Sequence, residues 1–236
     1  MIIYGRNPVR EALRGRRAVG RMWATDAAAR ERWISEREHT IAGGGEIEAL
    51  CGSPDHQGVC AEAERYPYAD PDELFERDDA VVICLDEVTD PHNLGAVARV
   101  AESAGAAGMV IPQRRSAEVT PAACKASAGA LEHLPVAMVR NLADWLAEAK
   151  NAKAWVYGAA AEGETVPYDR PDYSGRVVLV LGSEGRGLRP RVAAACDQLV
   201  SLPQRGRVGS LNVSTAAAAL LYGILQLRKS GLDRAP

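Results

Sequence analysis

Three stretches of the 236-residue chain carry more polar chemistry than a connection between secondary-structure elements requires. In the first, residues 86–105, Asp90-Pro91 sets a turn, Asn93 stands at a helix start, and Gly95 admits a close neighbour in the first helical turn. Arg99 then falls on the same helix face as Gly95 and Ser103. By residue type alone Asn93 reads equally well as a plain N-cap, and Arg99 as a solvated helix residue. The second stretch, residues 179–190, strings Gly182, Gly185 and Gly187 behind an apolar run. It lacks both the closing Gly-Lys-Ser/Thr of a phosphate-cradling loop and the G-x-G-x-x-G spacing of a dinucleotide site. Glu184 at its centre would repel phosphate, but it can accept a hydrogen bond from an amine or a hydroxyl. The third stretch, residues 200–223, breaks an apolar run at Leu202-Pro203 and passes through Arg205, Gly206, Arg207 and Gly209. It enters a helix through Ser210-Leu211-Asn212-Val213-Ser214, where a single cap would suffice.

Residues so far apart can act together only on a scaffold that gathers them. Apolar, β-branched runs at residues 80–85, 108–111, 134–139, 154–157, 177–181 and 199–202 predict strands buried on both faces. Helical stretches lie between them at 94–103, 121–128, 142–150, 190–195 and 213–228, and the apolar part of the last, 216–221, belongs to the core. The alternation predicts an α/β fold with a mainly parallel sheet covered on both faces, its functional loops clustered at strand ends. Ahead of it lies a small mixed unit. A helix starts at Asn7-Pro8, a strand covers 21–24, a charged helix covers 27–38, Gly43-Gly44-Gly45 makes a turn or mobile loop, and a strand covers 57–63. Tyr66-Pro67-Tyr68-Ala69-Asp70-Pro71-Asp72 breaks every periodicity, which predicts a linker and a domain boundary within residues 64–78.

Composition narrows the classes. With 47% hydrophobic and 25% charged residues the chain is globular. No apolar stretch approaches the roughly 20 residues of a membrane span, and no apolar block follows the first arginines, so neither a membrane anchor nor a secretory leader is expected. Five cysteines without a Cys-x-x-Cys pair and four scattered histidines suggest buried thiols, no disulfide framework, no metal and a reducing, cytoplasmic setting. The net charge of -3 hides an uneven distribution: through Arg21 six arginines stand against Glu11 alone, a local +5 suited to a phosphate backbone.

In order and separation the three stretches resemble one family. Asp90-Pro91-x-Asn93-x-Gly95-x-x-x-Arg99, then Leu181-Gly182-Ser183-Glu184-Gly185-x-Gly187-Leu188, then Ser210-Leu211-Asn212-Val213-Ser214 look like the three motifs of the SpoU (TrmH-like) branch of the SPOUT RNA methyltransferases. KASAGALEHLPV at 125–136 and HQGV at 56–59 are similar to the branch that methylates a ribose 2'-hydroxyl of large-subunit ribosomal RNA. The resemblance spans nearly the whole chain, most closely from Val81 onward.

It implies a SPOUT catalytic domain at 79–236, with a parallel sheet and a C-terminal trefoil knot that general topology rules would not suggest. A small α+β domain for binding the RNA substrate at 1–64 and a linker at 65–78 complete the implied organisation. It also implies S-adenosylmethionine as cofactor, held at Gly182, Leu202 and Leu211, with Arg99, Asn93, Glu184, Ser210 and Asn212 as the catalytic group and no metal. Arg99 is protonated at any ordinary pH, so it would grip a neighbouring phosphate and stabilise a developing oxyanion rather than remove a proton. Glu184, Ser210 and Asn212 would orient the nucleotide, and Asn93 would hold Arg99 or the ribose. RNA is the implied partner, most of all ribosomal RNA with a guanosine of 23S rRNA as target, and a homodimer through the knotted domain is the implied assembly. The Arg-rich opening would capture RNA, helped by Arg114, Arg115, Arg186, Arg189, Arg205 and Arg207 beside the loops. With a single Phe and 5% aromatic residues, arginines would have to do much of the base stacking. Transfer RNA as substrate and a catalytically silent, RNA-binding knotted protein are the alternatives, while a generic nucleotide-binding α/β enzyme leaves the three loops unexplained. Gly223, where relatives often carry an acidic residue after the aromatic, is expected to loosen the last helix locally.

Overall fold

The computed structural model describes residues 1–207 and 209–232, with side chains described through Lys229. The N-terminal part contains β1 (Ile2–Tyr4), α1 (Arg6–Ala12), β2 (Val19–Ala24), α2 (Arg32–Ser35), β3 (Thr40–Ile41), α3 (Gly44–Cys51) and β4 (Val59–Ala63). Its sheet runs β1-β4-β2-β3, with β4 antiparallel to both neighbours and β3 parallel to β2. Two local expectations fail here. The charged helix over 27–38 is a short 3-10 turn at Ala28–Arg30 followed by α2, interrupted at Glu31 in an extended conformation. Only Ala28 and Ile34 are buried in these two pieces, so no apolar stripe supports one long helix. The glycine run is not a free loop either. Gly44 and Gly45 open α3 behind the cap residue Gly43, because Ile47 is fully buried and anchors the helix.

The second part contains β5 (Val81–Asp86), α4 (Pro91–Ser103), β6 (Gly108–Pro112), α5 (Pro121–Ala126), β7 (Val136–Val139), α6 (Leu142–Asn151), β8 (Ala154–Ala159), β9 (Val166–Pro167), β10 (Arg176–Gly182), α7 (Pro190–Ala195), β11 (Gln198–Ser201) and α8 (Val213–Leu232). Seven strands form a sheet in the order β7-β6-β5-β10-β8-β11-β9, and every neighbouring pair is parallel. β5 is buried at all 6 positions, as a strand covered on both faces must be. Leu94, Val97, Ala101, Ala123, Ala217 and Leu220 of α4, α5 and α8 join one core cluster, while Leu142, Trp145, Leu146 and Val192 of α6 and α7 join the other. The register sets Gly182 of β10 beside Asp86 of β5, so the loops leaving these two strands emerge side by side. α8 crosses back to pack on α4, which brings the third loop to the same edge. No helix among the described residues is long and apolar enough to cross a membrane.

α8 runs unbroken through Gly223. A β-carbon there would stand 2.5 Å from the Tyr168 ring, so this glycine admits a neighbouring ring rather than loosening the helix.

The segment expected to be a linker is docked along its length. Tyr66 Oη donates to the carbonyls of Leu131 and Leu134 at 3.0 and 2.9 Å, Tyr68 Oη accepts from Val119 N at 3.0 Å, and Leu74 and Phe75 are buried. Prolines and acids mark turns whether or not the turns are packed, whereas the aromatic side chains decide the packing. The Arg-rich opening also differs from its sequence reading. Arg6 pairs with Glu31, Arg10 and Arg14 with Glu11, Arg21 with Glu62, and Arg16 donates to the His133 carbonyl. Arg17 is buried with Glu132, Nε to Oε2 at 2.8 Å, and both side chains are 1% exposed. Much of the local positive charge is therefore matched by carboxylates brought from elsewhere in the chain.

Candidate active site

The geometry of the first loop begins with its cap. Asp90 Oδ1 accepts from His92 N at 2.8 Å and so caps α4, which releases Asn93 from that task. Asn93 instead donates from Nδ2 to Glu184 Oε1 at 3.1 Å and accepts at Oδ1 from Asn212 Nδ2 at 3.0 Å. Asn212 Nδ2 also donates to Glu184 Oε1, closing a triangle between positions 91, 119 and 28 residues apart in sequence. The Asn212 carbonyl meanwhile serves the start of α8, accepting from Ser214 N at 2.9 Å and from Ser214 Oγ at 2.6 Å. One amide thus caps a helix with its oxygen and ties two loops together with its nitrogen. Glu184 Oε1 receives both amides, and among the described residues Oε2 accepts no hydrogen bond.

Beside this triangle lies a cleft of about 510 Å³, formed where the chain leaves β8, β10 and β11 and enters α8. Gly182, Glu184, Leu202, Ser210 and Leu211 all line it. The glycines of the second loop have a steric cause. A β-carbon on Gly182 would stand 2.1 Å from the Gly187 carbonyl carbon, and Gly187 takes a φ of +67° while its N–H donates to the Ser183 carbonyl at 2.9 Å. Only glycine lets the loop fold back on itself this tightly. Leu211, 43% exposed, presents apolar surface at the mouth of α8.

Arg99 stands apart. It is exposed on α4, six residues beyond Asn93, hence about 9 Å along the axis and turned about 120° around it. Among the described residues it makes no hydrogen bond or ion pair, and it does not line the cleft. Asn93 does not hold it within this chain, because helical geometry points the two side chains in different directions.

Asp86 escaped the sequence reading. It ends the apolar run of β5 with its side chain fully buried, and its Oδ2 accepts from Arg189 N at 2.8 Å while Oδ1 accepts from Arg189 Nε at 2.7 Å. This clamp fastens the end of the glycine loop to the end of β5, so Arg189 is a structural cation rather than one offered to RNA. The available signal was an aspartate closing a run of six apolar residues, since a buried carboxylate demands a partner. Arg115 is likewise occupied, by Glu87 at 3.4 Å.

Among the described residues no group of three or more His, Cys, Asp or Glu is placed to hold a metal. Burial pushes the thiols of Cys60 and Cys196 up to about 12 and that of Cys124 to about 11, leaving them neutral near pH 7.

Comparison with known proteins gives this geometry a family. Residues 80–222 match the SpoU rRNA methylase family, and residues 2–69 match the domain described as RNA 2'-O ribose methyltransferase substrate binding. The chain is 37% identical, over 99% of its length, to the uncharacterized tRNA/rRNA methyltransferase slr0955 of Synechocystis, of which it spans 64%. It is 42% identical, over 75% of its length and 73% of the relative's, to the 23S rRNA (guanosine-2'-O-)-methyltransferase RlmB of Acinetobacter baylyi. The fold is similar to the SpoU methyltransferase AviRb of Streptomyces viridochromogenes, solved in complex with the cofactor AdoMet, with a TM-score of 0.82 and 27% identity over 98% of this chain and 91% of that one. The three sequence-distant loops that meet at the cleft lie within the matched span, and the chain belongs to the SpoU methylase family.

Proposed function

We propose that this SpoU-family methylase transfers the methyl group of S-adenosylmethionine to a ribose 2'-hydroxyl of large-subunit ribosomal RNA, with a guanosine of 23S rRNA as target. The observation that carries the reading is the triangle of Asn93, Glu184 and Asn212 beside a cleft lined by Gly182, Leu202 and Leu211. The 23S guanosine relative favours ribosomal RNA as the substrate.

The cleft fits the cofactor. Its volume lies within the roughly 300–1,000 Å³ of small-molecule sites, and its wall combines apolar Leu202 and Leu211 with the backbone of the glycine loop, whose amides and carbonyls can read an adenine edge. When bound, S-adenosylmethionine supplies a methyl group already activated for displacement.

What remains for the chain is positioning. Glu184, fixed through Oε1 by two amides, turns Oε2 toward a hydroxyl or amine of the nucleotide, and Ser210 contributes a further hydroxyl at the cleft wall. Arg99 grips the phosphate next to the target ribose and stabilises negative charge on the 2'-oxygen. Because Arg99 lies away from the cleft of its own chain, the proposed assembly is a homodimer whose subunits complete each other's sites. Exposed Leu211 and Tyr222, 43% and 51% accessible, offer apolar surface for that contact. A catalytic domain at 79–236 knotted at its C-terminal part, a substrate-binding domain at 1–64 joined through 65–78, and a cytoplasmic setting complete the proposed organisation.

Labelled S-adenosylmethionine tests the reading with deproteinised ribosomal RNA and, separately, bulk transfer RNA. Label in ribosomal RNA supports it, label in transfer RNA alone replaces the substrate, and cofactor binding without label in either favours a silent RNA-binding protein.

A further inference from the structure

Two stretches, residues 56–59 and 125–136, take no part in the triangle or the cleft, yet the fold brings them together at the seam between the N-terminal sheet and α5. Lys125 reaches from α5 across Gly5, so closely that a β-carbon on Gly5 would stand 2.6 Å from its Nζ. Gln57 closes the other side. Its Oε1 would stand 3.2 Å from the same β-carbon and accepts from Arg6 N at 3.0 Å. Gly5, with a φ of +93°, is the residue that leaves room for both. Gln57 itself holds a φ of 55°, an uncommon conformation for a residue with a side chain, and its carbonyl accepts from Arg6 Nε at 3.3 Å.

Two donors are left over at this place. The Lys125 ammonium is on a half-buried residue and, among the described residues, makes no ion pair or hydrogen bond, while Gln57 Nε2 likewise has no acceptor there. Loss of water lowers the Lys125 pKa, with the exposed carboxylate of Asp55 pulling the other way without forming an ion pair. A partly desolvated cation without a partner is costly, and an arriving anion removes that cost. The seam is also close to the chemistry. A β-carbon on Gly95 of α4 would stand 2.4 Å from the carbonyl oxygen of Ala123, which shares the short helix α5 with Lys125.

We propose that Lys125 and Gln57 form a phosphate-binding subsite that grips one phosphodiester of the substrate RNA as it crosses the seam toward the methylation site. The inference rests on the RNA methyltransferase reading above and adds a contact that the three loops do not supply. The six arginines of the opening each have a partner within the chain, whereas Lys125 has none among the described residues. Lysine acts here as a point charge, so the subsite contributes affinity and register rather than base selection.

Two substitutions test the subsite in the full chain. Lys125→Met keeps the bulk and removes the charge, and Gln57→Glu gives Lys125 an internal carboxylate that competes with phosphate. Binding to transcribed large-subunit ribosomal RNA is measured over a series of salt concentrations, beside S-adenosylmethionine affinity and thermal unfolding. Lys125→Met is expected to weaken RNA binding roughly tenfold at low salt and to make the slope of log affinity against log salt shallower by about 0.7 to 1. Cofactor affinity should stay at the wild-type value, and unfolding should occur at no lower temperature because the group removed was unpaired. Gln57→Glu should lose RNA affinity to a similar extent while unfolding at a higher temperature. Wild-type salt slope and RNA affinity in Lys125→Met overturn the proposal, as does a loss of RNA binding that tracks a loss of cofactor binding. Methyl transfer by the wild-type protein in the same preparations reports on the enzyme reading separately, so failure of one is distinguishable from failure of the other.

Discussion

Glu184 shows how a single side chain divides its work. Its Oε1 is committed to the amides of Asn93 and Asn212, and among the described residues its Oε2 accepts no hydrogen bond. Glu184→Gln keeps an acceptor oxygen for the two amides and turns the other end into a donor. Methyl transfer is expected to fall roughly a hundredfold with cofactor affinity unchanged, read by single-turnover assays and cofactor titration. Arg99→Lys separates charge from the planar fork. About a tenfold loss is expected, smaller than the loss in Arg99→Ala, and equal rates in Arg99→Ala and the wild type would remove Arg99 from the mechanism. The residue types at these positions were legible in the sequence, but their partners were not. Nothing local to Asn93 announces a bond to a side chain 119 residues away, and the cap role that suited Asn93 belongs to Asp90. Asp86 was legible in principle, since a carboxylate at the end of a fully apolar strand has to be paired.

At the scale of elements, the site depends on two strands in register and one helix that sits unusually close to its neighbour. β5 and β10 deliver the first and second loops side by side, and α4 presses on α5 at Gly95. Gly95→Ala would push a β-carbon to 2.4 Å from a backbone oxygen that cannot rotate away. Thermal or urea unfolding should show about 1–3 kcal/mol of destabilisation, and an unchanged midpoint would mean that the two helices are not held as described. The buried strands were readable because a sheet covered on both faces leaves no polar alternation. The N-terminal elements were harder to read, because short helices there are decided by single buried anchors. Ile47 outweighs the two glycines that open α3, and the lack of a stripe between Ala28 and Ile34 breaks an apparent helix in two.

Over the whole molecule, the two sheets are joined by a packed seam rather than a loose tether. One core cluster runs from Ile3 and Met22 in the first sheet to Leu94 and Leu131 in the second part, and the buried Arg17–Glu132 pair crosses it. Glu132→Gln leaves the Arg17 guanidinium charged and underpartnered, so a destabilisation of about 3–5 kcal/mol is expected. The double change Arg17→Met with Glu132→Leu should recover most of it, and unfolding midpoints of the three proteins check the pattern. This scale was the least legible, because charge counted along the chain is not charge in space. Six arginines in one segment look like an RNA-binding patch, yet Glu31, Glu62 and Glu132 arrive from elsewhere to pair three of them.

The proposed reaction is methylation of a ribose oxygen in large-subunit ribosomal RNA. Nucleoside mass spectrometry of 23S ribosomal RNA methylated in vitro by the wild-type protein, combined with mapping of the alkali-resistant linkage, reads it most directly. The expected product is 2'-O-methylguanosine at one position, absent with Arg99→Ala. A methyl group on a base, or methylation confined to transfer RNA, would contradict it.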